Sequence, residues 1–143
     1  MTVLTRLGLK PSLRLPNLVR RPSPVLFTQN VNLTTTDVAD VVTVPDGFVG
    51  QWTMTFITNL DNSNNDVTLF VDKTPDPDVY ILNGKTINSK DYLMIESQSG
   101  FILQPGDVVK ASCDTVGNLE IVVTLDLVYS PFQLNSFGTG GGG

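Results

Sequence analysis

The chain has 143 residues, of which 41% are hydrophobic and 16% are charged, a composition typical of a globular protein rather than a disordered chain. Histidine is absent and Cys113 is the only cysteine, which excludes histidine-dependent nucleophilic catalysis, zinc held by histidine or a thiolate cluster, and an intrachain disulfide. Fourteen acidic side chains outnumber nine basic ones, giving a formal net charge of −5.

The first 24 residues differ from the rest of the chain in charge and composition. They carry five basic side chains and no acid, whereas residues 37–143 carry four lysines and all fourteen acids. Prolines at positions 11, 16, 22 and 24 interrupt every potential helix. We therefore predict an extended basic N-terminal arm over residues 1–24, whose cations pair with the carboxylates of a partner and whose leucines enter apolar grooves. The predicted partner-binding residues are Arg6, Lys10, Arg14, Arg20, Arg21, Leu13, Leu15 and Leu18.

Other interpretations of this segment are a solvated tail and an organelle transit peptide, although four prolines argue against the amphipathic helix of such peptides. The acidic body, the missing aromatic platform and the many leucines disfavour nucleic acid as the partner. We expect no membrane association, because no apolar run approaches 18 residues. We also expect no secretory signal, because the N-terminus lacks an apolar core.

From residue 25 onward, short apolar segments alternate with turn signals every 8–12 residues, and no segment has convincing helical periodicity. This pattern predicts an all-β domain over residues 25–130, an antiparallel β-sandwich of about eight strands with jelly-roll or Ig-like connectivity. A glycine-rich C-terminal tail, residues 131–143, follows. The predicted strand segments are 25–29, 39–44, 50–60, 67–71, 79–82, 92–96, 101–103, 108–113 and 119–127.

Three of these segments carry specific predictions. Alternation within residues 50–60 places Trp52, Met54 and Phe56 on one apolar face, with threonines on the other. Asn83-Gly84 is a hairpin signal that ends the strand before it. Residues 119–127 alternate apolar and mostly polar side chains over nine positions, which predicts a long, half-buried strand.

We predict no catalytic site, no metal site and no cofactor, and therefore no enzyme. Asp72, Asp76 and Asp78 surround two prolines and are interpreted as solvated turn carboxylates. The hexamer DNSNND at residues 61–66 superficially resembles a calcium loop, but it lacks the glycine at its sixth position and the flanking helices. We expect Cys113 and Trp52 to pack in the core.

The stretches TVPDGFVGQWTMTFITNLDNSNNDVTLFVDK, YILNGKTI and GFILQPGDVVKASCDTVGNLEIVVTLDLVY resemble small β-sandwich virion structural proteins of tailed bacteriophages. The resemblance covers residues 38–129 and does not include the basic arm. It consists of a pattern of turns and strands, with no active-site motif. The matching positions are Pro45, Gly47, Asn59, Leu103, Pro105, Gly106 and Asp107.

This resemblance implies a capsid decoration (cement) protein, or a head–tail junction, neck or tail component. It also implies a homo-oligomer, with a trimer favoured, whose partners are the major capsid protein or other virion proteins. The expected location is the virion, assembled in the host cytoplasm. A receptor- or carbohydrate-binding module of a fibre is an alternative, and it requires an exposed aromatic patch.

Overall fold

The computed structural model describes residues 24–130, except for the side chains of residues 97–100. The predicted tail and all the predicted partner-binding residues lie outside this range, as does the predicted arm apart from Pro24. Within residues 24–130, every regular element is a β-strand. No helix in this range is long and apolar enough to cross a membrane. The strands are β1 (Val25–Leu33), β2 (Ala39–Thr43), β3 (Phe48–Asn59), β4 (Asn65–Asp72), β5 (Val79–Ile87), β6 (Tyr92–Leu103), β7 (Val108–Cys113) and β8 (Leu119–Tyr129).

The eight strands form two four-stranded antiparallel sheets. The first sheet has the order β1-β8-β3-β6, and the second has the order β2-β7-β4-β5. Strand β1 pairs with β8, β2 with β7, β3 with β6, and β4 with β5. The first and third of these pairs belong to the first sheet, and the second and fourth belong to the second sheet. This is the jelly-roll connectivity. The predicted β-sandwich is therefore confirmed, with the jelly roll rather than the Ig-like alternative.

The core lies between the two inner faces, and β8 shows most clearly how the sequence builds it. Leu119, Ile121, Val123 and Leu125 are completely buried, while the residues between them are exposed or half-buried. Each fully buried aliphatic side chain contributes roughly 1.5–3 kcal/mol to the free energy of folding. The predicted long, half-buried last strand is confirmed, extended to Tyr129.

The prediction that Trp52, Met54 and Phe56 share the core face is wrong for Met54 and Phe56. The register of β3 shifts at Thr53 against both neighbouring strands, and such a bulge reverses the facing of the residues beyond it. Trp52 is therefore buried, but Met54 and Phe56 lie on the outer face. Thr55 replaces them inside, where its hydroxyl oxygen accepts a hydrogen bond from the Trp52 indole at 2.6 Å.

The predicted hairpin at Asn83-Gly84 is also wrong. β5 continues through these residues to Ile87, and its register against β4 shifts there because Asn83 and Gly84 lie opposite the single residue Thr68. Gly84 has a positive φ of 69° and donates its N–H to the Thr68 hydroxyl at 3.1 Å. Asn-Gly therefore forms a bulge rather than a chain reversal.

Two further strand boundaries differ from the sequence prediction. The segments 92–96 and 101–103 form one strand, β6, whose pairing with β3 skips residues 97–100. β1 extends four residues beyond the predicted 25–29, because Val31 and Leu33 continue the inward-facing row set by Phe27.

The turns that carry the family resemblance meet at one end of the sandwich. Gly47 and Gly106 both have positive φ, which glycine adopts without strain. Val44 exchanges backbone hydrogen bonds of 2.9 Å with Gly106 and Asp107, which ties the two turns together. The Asp107 carboxylate accepts the Gln104 N–H at 2.8 Å and forms an ion pair with Lys73. The matching residues therefore have structural roles.

Candidate interaction surface

The described ends of the chain lie close together, at one end of the first sheet. Pro24 precedes Val25, which pairs with Leu127 of β8. Ser130 follows β8 and donates its N–H to the Gly47 carbonyl at 2.6 Å. An arm before residue 24 and a tail after residue 130 would therefore start from neighbouring positions on the first sheet.

The first sheet carries only negative charge on its strands. Glu96, Glu120 and Asp126 belong to β6 and β8, and none of its four strands contains a lysine or arginine. The second sheet differs, because it contains Lys85 and Lys110 together with three aspartates. The first sheet is therefore the better match for a cationic partner.

An apolar patch lies on the outer face of the same sheet. The Phe56 patch comprises Met54, Phe56, Tyr92, Met94 and Val122. Phe56 lies opposite Met94 on one side and Val122 on the other, and it stacks on Tyr92 with ring centroids 5.1 Å apart. Tyr92 is 58% exposed and Met94 is 45% exposed. Exposed, contiguous apolar groups rimmed by polar ones are typical of interaction surfaces.

Sequence reasoning missed this patch because it assigned Met54 and Phe56 to the core. One signal could have revealed it. Residues 92–95 read Tyr-Leu-Met-Ile without alternation, and a strand that is apolar on both faces is one that can be covered on both faces. In the structure Leu93 and Ile95 pack against the core, whereas Tyr92 and Met94 face outward.

The aspartates of the 72–78 segment do not converge on a common site. Asp76 and Asp78 are exposed, as predicted, whereas Asp72 is half-buried and fully engaged. Its carboxylate accepts hydrogen bonds from the Thr74 hydroxyl and N–H, and it lies 2.9 Å from the Lys110 ammonium. These contacts, with the Thr74 hydroxyl first and Lys110 next, lower the pKa of Asp72 to about 2.

We expect the contribution of Asp72 to stability to depend on pH. Its pKa in the folded chain lies below the ordinary value of 3.8, so the charged form stabilises the fold above about pH 4 and this contribution disappears as the pH falls toward 2. The Asp72→Asn variant should therefore melt below the parent chain at neutral pH and together with it near pH 2. Thermal unfolding followed by circular dichroism across this range tests the prediction, and a constant difference would contradict it.

The DNSNND loop uses its side chains to brace neighbouring loops. Asp61 accepts the Asn118 N–H at 2.6 Å, and Asn64 accepts the Ser89 N–H at 3.0 Å. The Asn65 side chain donates to the Thr115 carbonyl at 2.8 Å and accepts the Thr115 N–H at 3.2 Å. Among the described residues, no group of three acidic, cysteine or histidine side chains could hold a metal ion.

Cys113 and Trp52 both pack in the core, as predicted. Trp52 is 4% exposed and stacks on Phe101 with centroids 5.8 Å apart. Cys113 is buried beside the carbonyls of Thr35 and Thr115, and burial raises the pKa of its thiol. A thiol that resists ionisation is a poor nucleophile.

The exposed tyrosines do not share one surface. Tyr92 belongs to the Phe56 patch on the first sheet, and Tyr80 stacks on Phe70 on the outer face of the second sheet. Tyr129 packs edge-on against Phe48 at the end of β8. Within residues 24–130, these three tyrosines therefore lie on separate surfaces.

No known protein-family model matches the chain, and no curated protein matches it. Solved structures do match. A chain in the acidic stable capsid structure of Helicobacter pylori bacteriophage KHP30 aligns with 78% of this chain and 94% of its own length, at 12% identity and a TM-score of 0.52. At this level of identity, the match shows a shared fold.

Two further solved structures match with lower TM-scores. The globular domain of the zebrafish complement 1qA protein aligns with 78% of this chain and 99% of its own length, at 12% identity and a TM-score of 0.36. A chain in the structure of infectious bursal disease virus Gt strain aligns with 89% of this chain and 48% of its own length, at 10% identity and a TM-score of 0.23.

Proposed function

We propose that this chain is a non-enzymatic virion structural protein of a tailed bacteriophage, a decoration protein bound on the capsid shell. The observation that carries the proposal is the jelly roll itself. A chain of a bacteriophage capsid structure aligns with this fold over 94% of that chain's own length. The turn pattern at Pro45–Gly47 and Gln104–Asp107 adds independent support, because the resemblance to phage virion proteins rests on it.

The proposed mechanism is mechanical. The sandwich acts as a rigid globular domain, and its Phe56 patch contacts the capsid shell through exposed apolar side chains. The arm, residues 1–24, holds neighbouring subunits through its arginines and leucines, and the tail adds a second contact. Weak contacts repeated around a symmetric shell combine into high avidity.

The test uses phage particles that lack this protein and the purified full chain. We expect the parent chain to bind such particles. A full-length variant with Arg6, Lys10, Arg14, Arg20 and Arg21 changed to glutamine should bind at least tenfold more weakly, because paired charges across an interface contribute on the order of 1.4 kcal/mol or more.

Met94→Lys tests the Phe56 patch in the same assay, and Val116→Lys is its matched control. Val116 is 76% exposed and lies in the β7–β8 turn, outside the patch. We expect Met94→Lys to weaken binding and Val116→Lys to leave it unchanged. Undiminished binding by both the glutamine variant and Met94→Lys would contradict the proposed mechanism. Binding confined to the head–tail junction would favour a neck component over a decoration protein.

A further inference from the structure

We propose that the free edge of β1 binds residues 6–15 of a second copy of this chain as an added β-strand. The inference rests on the arm proposed above and identifies the surface that receives it. It requires three properties of that surface: an edge open to pairing, a groove for alternate side chains, and a charge opposite to that of the arm.

Of the four edge strands in residues 24–130, only β1 lacks a feature that protects a sheet edge from further strand pairing. β2 has only five residues, β5 is interrupted at Asn83-Gly84, and the pairing of β6 is interrupted at residues 97–100. β1 pairs with β8 over nine consecutive residues without a register shift, and it contains neither charge nor proline. Sheet edges are usually protected by charge, proline, bulges or short length.

A groove lies beside this edge, between β1 and β2. It has a volume of about 310 Å³ and is lined by Phe27 and Gln29 on one side and by residues 40–43 on the other. Gln29 lies opposite the buried Val123, so it occupies an inward-facing position, yet it is exposed. Val25, in the same row, is 56% exposed. Within the described part of the chain, the side chains of β1 that face the core are therefore partly exposed to solvent.

The sequence of residues 6–15, RLGLKPSLRL, has the alternation that such an edge requires. Leucines stand at positions 7, 9, 13 and 15, and basic residues stand at 6, 10 and 14. In an extended segment, odd and even positions face opposite sides. Added beside β1, the leucines would enter the groove and the basic side chains would lie on the outer face of the first sheet. Pairing of an extended segment with an exposed sheet edge is an established mode of peptide recognition.

The outer face offers acids to those cations. Asp126 lies next to Leu26 of β1, and Glu120 lies next to Asn32. Both carboxylates belong to β8, the strand adjacent to the edge, and arginine side chains on an added strand are long enough to reach toward them. No lysine or arginine of the first sheet opposes this pairing.

A second copy is the favoured source of the segment. Residues 21–24 read Arg-Pro-Ser-Pro immediately before β1, and a residue before proline is biased toward extended conformations. An extended conformation at these residues would lead the preceding chain away from β1 rather than back along its edge. Fully extended, 23 residues span at most roughly 80 Å, which is enough to reach a neighbouring subunit.

The first experiment measures self-association of the purified full chain by sedimentation velocity, without capsid. The parent chain should associate, and more weakly as salt screens the charges. Gln29→Lys adds a cation to the groove and should weaken association at least tenfold. Ile102→Lys adds the same charge on β6, at the opposite edge of the same sheet and outside the Phe56 patch, and should leave association unchanged. A monomeric parent chain, or equal association by the parent and Gln29→Lys, would overturn the inference.

The second experiment identifies the occupant. A photoreactive amino acid at position 29 is introduced into ¹⁴N-labelled full chain, which is mixed with ¹⁵N-labelled parent chain, irradiated and analysed by mass spectrometry. We expect cross-links from position 29 of the ¹⁴N chain to residues 6–15 of the ¹⁵N chain. Cross-links confined to one isotope, or no cross-links to residues 6–15, would overturn it. If capsid binding fails while these cross-links form, the proposed function is wrong and the strand exchange stands.

Discussion

Replacing Leu125 with alanine is expected to lower the free energy of unfolding by about 2–5 kcal/mol. Leu125 is completely buried on β8, between Phe27 of β1 and Trp52 of β3 in the strand register. Both flanking strands are hydrogen-bonded to β8, so they have little freedom to collapse into the space that the side chain leaves. The cost therefore includes a cavity term as well as the lost burial of apolar surface.

A matched pair of substitutions on the same strand controls for this prediction. Val123→Ala and Val122→Ala remove the same atoms from adjacent residues, but Val123 is completely buried and Val122 is half-buried on the outer face. Urea unfolding should show that Val123→Ala destabilises clearly more than Val122→Ala. Equal losses, or a loss below about 1 kcal/mol for Leu125→Ala, would contradict the described two-layer core.

The second large effect is expected at Asn59, which is completely buried at the end of β3. Its side-chain amide donates to the Ser63 carbonyl at 2.9 Å and to the Ile87 carbonyl at 3.0 Å, and its side-chain oxygen accepts the Asp61 N–H at 3.0 Å. Asn59 therefore ties the end of β3 to the following loop and to the end of β5. Its presence in the family-like turn pattern has a structural explanation.

Asn59→Asp should destabilise the fold by roughly 3 kcal/mol or more, because a buried carboxylate would face two carbonyl oxygens without a proton to donate. Acidification should reduce the loss, since the protonated carboxyl regains one donor. Asn83→Asp is the control: the same replacement at an exposed position should change stability by less than about 0.5 kcal/mol. A neutral Asn59→Asp variant in urea unfolding would show that the three hydrogen bonds do not stabilise the fold.

The sequence predicts strands well where one face is buried and turn residues bound the segment. Residues 108–113 and 119–127 both meet these conditions, and both are strands in the structure. The turns at Gly47 and Gly106 are equally predictable, because each needs a positive φ that glycine provides. Local periodicity does not specify which distant strands pair, so the jelly-roll strand order could be obtained only from the structure.

The errors arise where a bulge changes the facing of a strand. The sequence WTMTF alternates regularly, and the extra residue, Thr53, becomes evident only from the register shift of β3 against both neighbouring strands. Asn-Gly likewise fits either a hairpin or a bulge, and the continued pairing of β5 with β4 decides between them. As a result, the Phe56 patch could not be predicted from alternation. The interaction of the basic arm remains a prediction from charge and composition.

The most direct test of the proposal that this chain is a structural subunit of a phage particle is mass spectrometry and cryo-electron microscopy of phage particles purified from the cells that produce the chain. We predict a fixed copy number per particle and jelly-roll density at symmetry-related positions on the shell. Absence of the chain from purified particles, with the chain found only in the soluble fraction of infected cells, would contradict the claim.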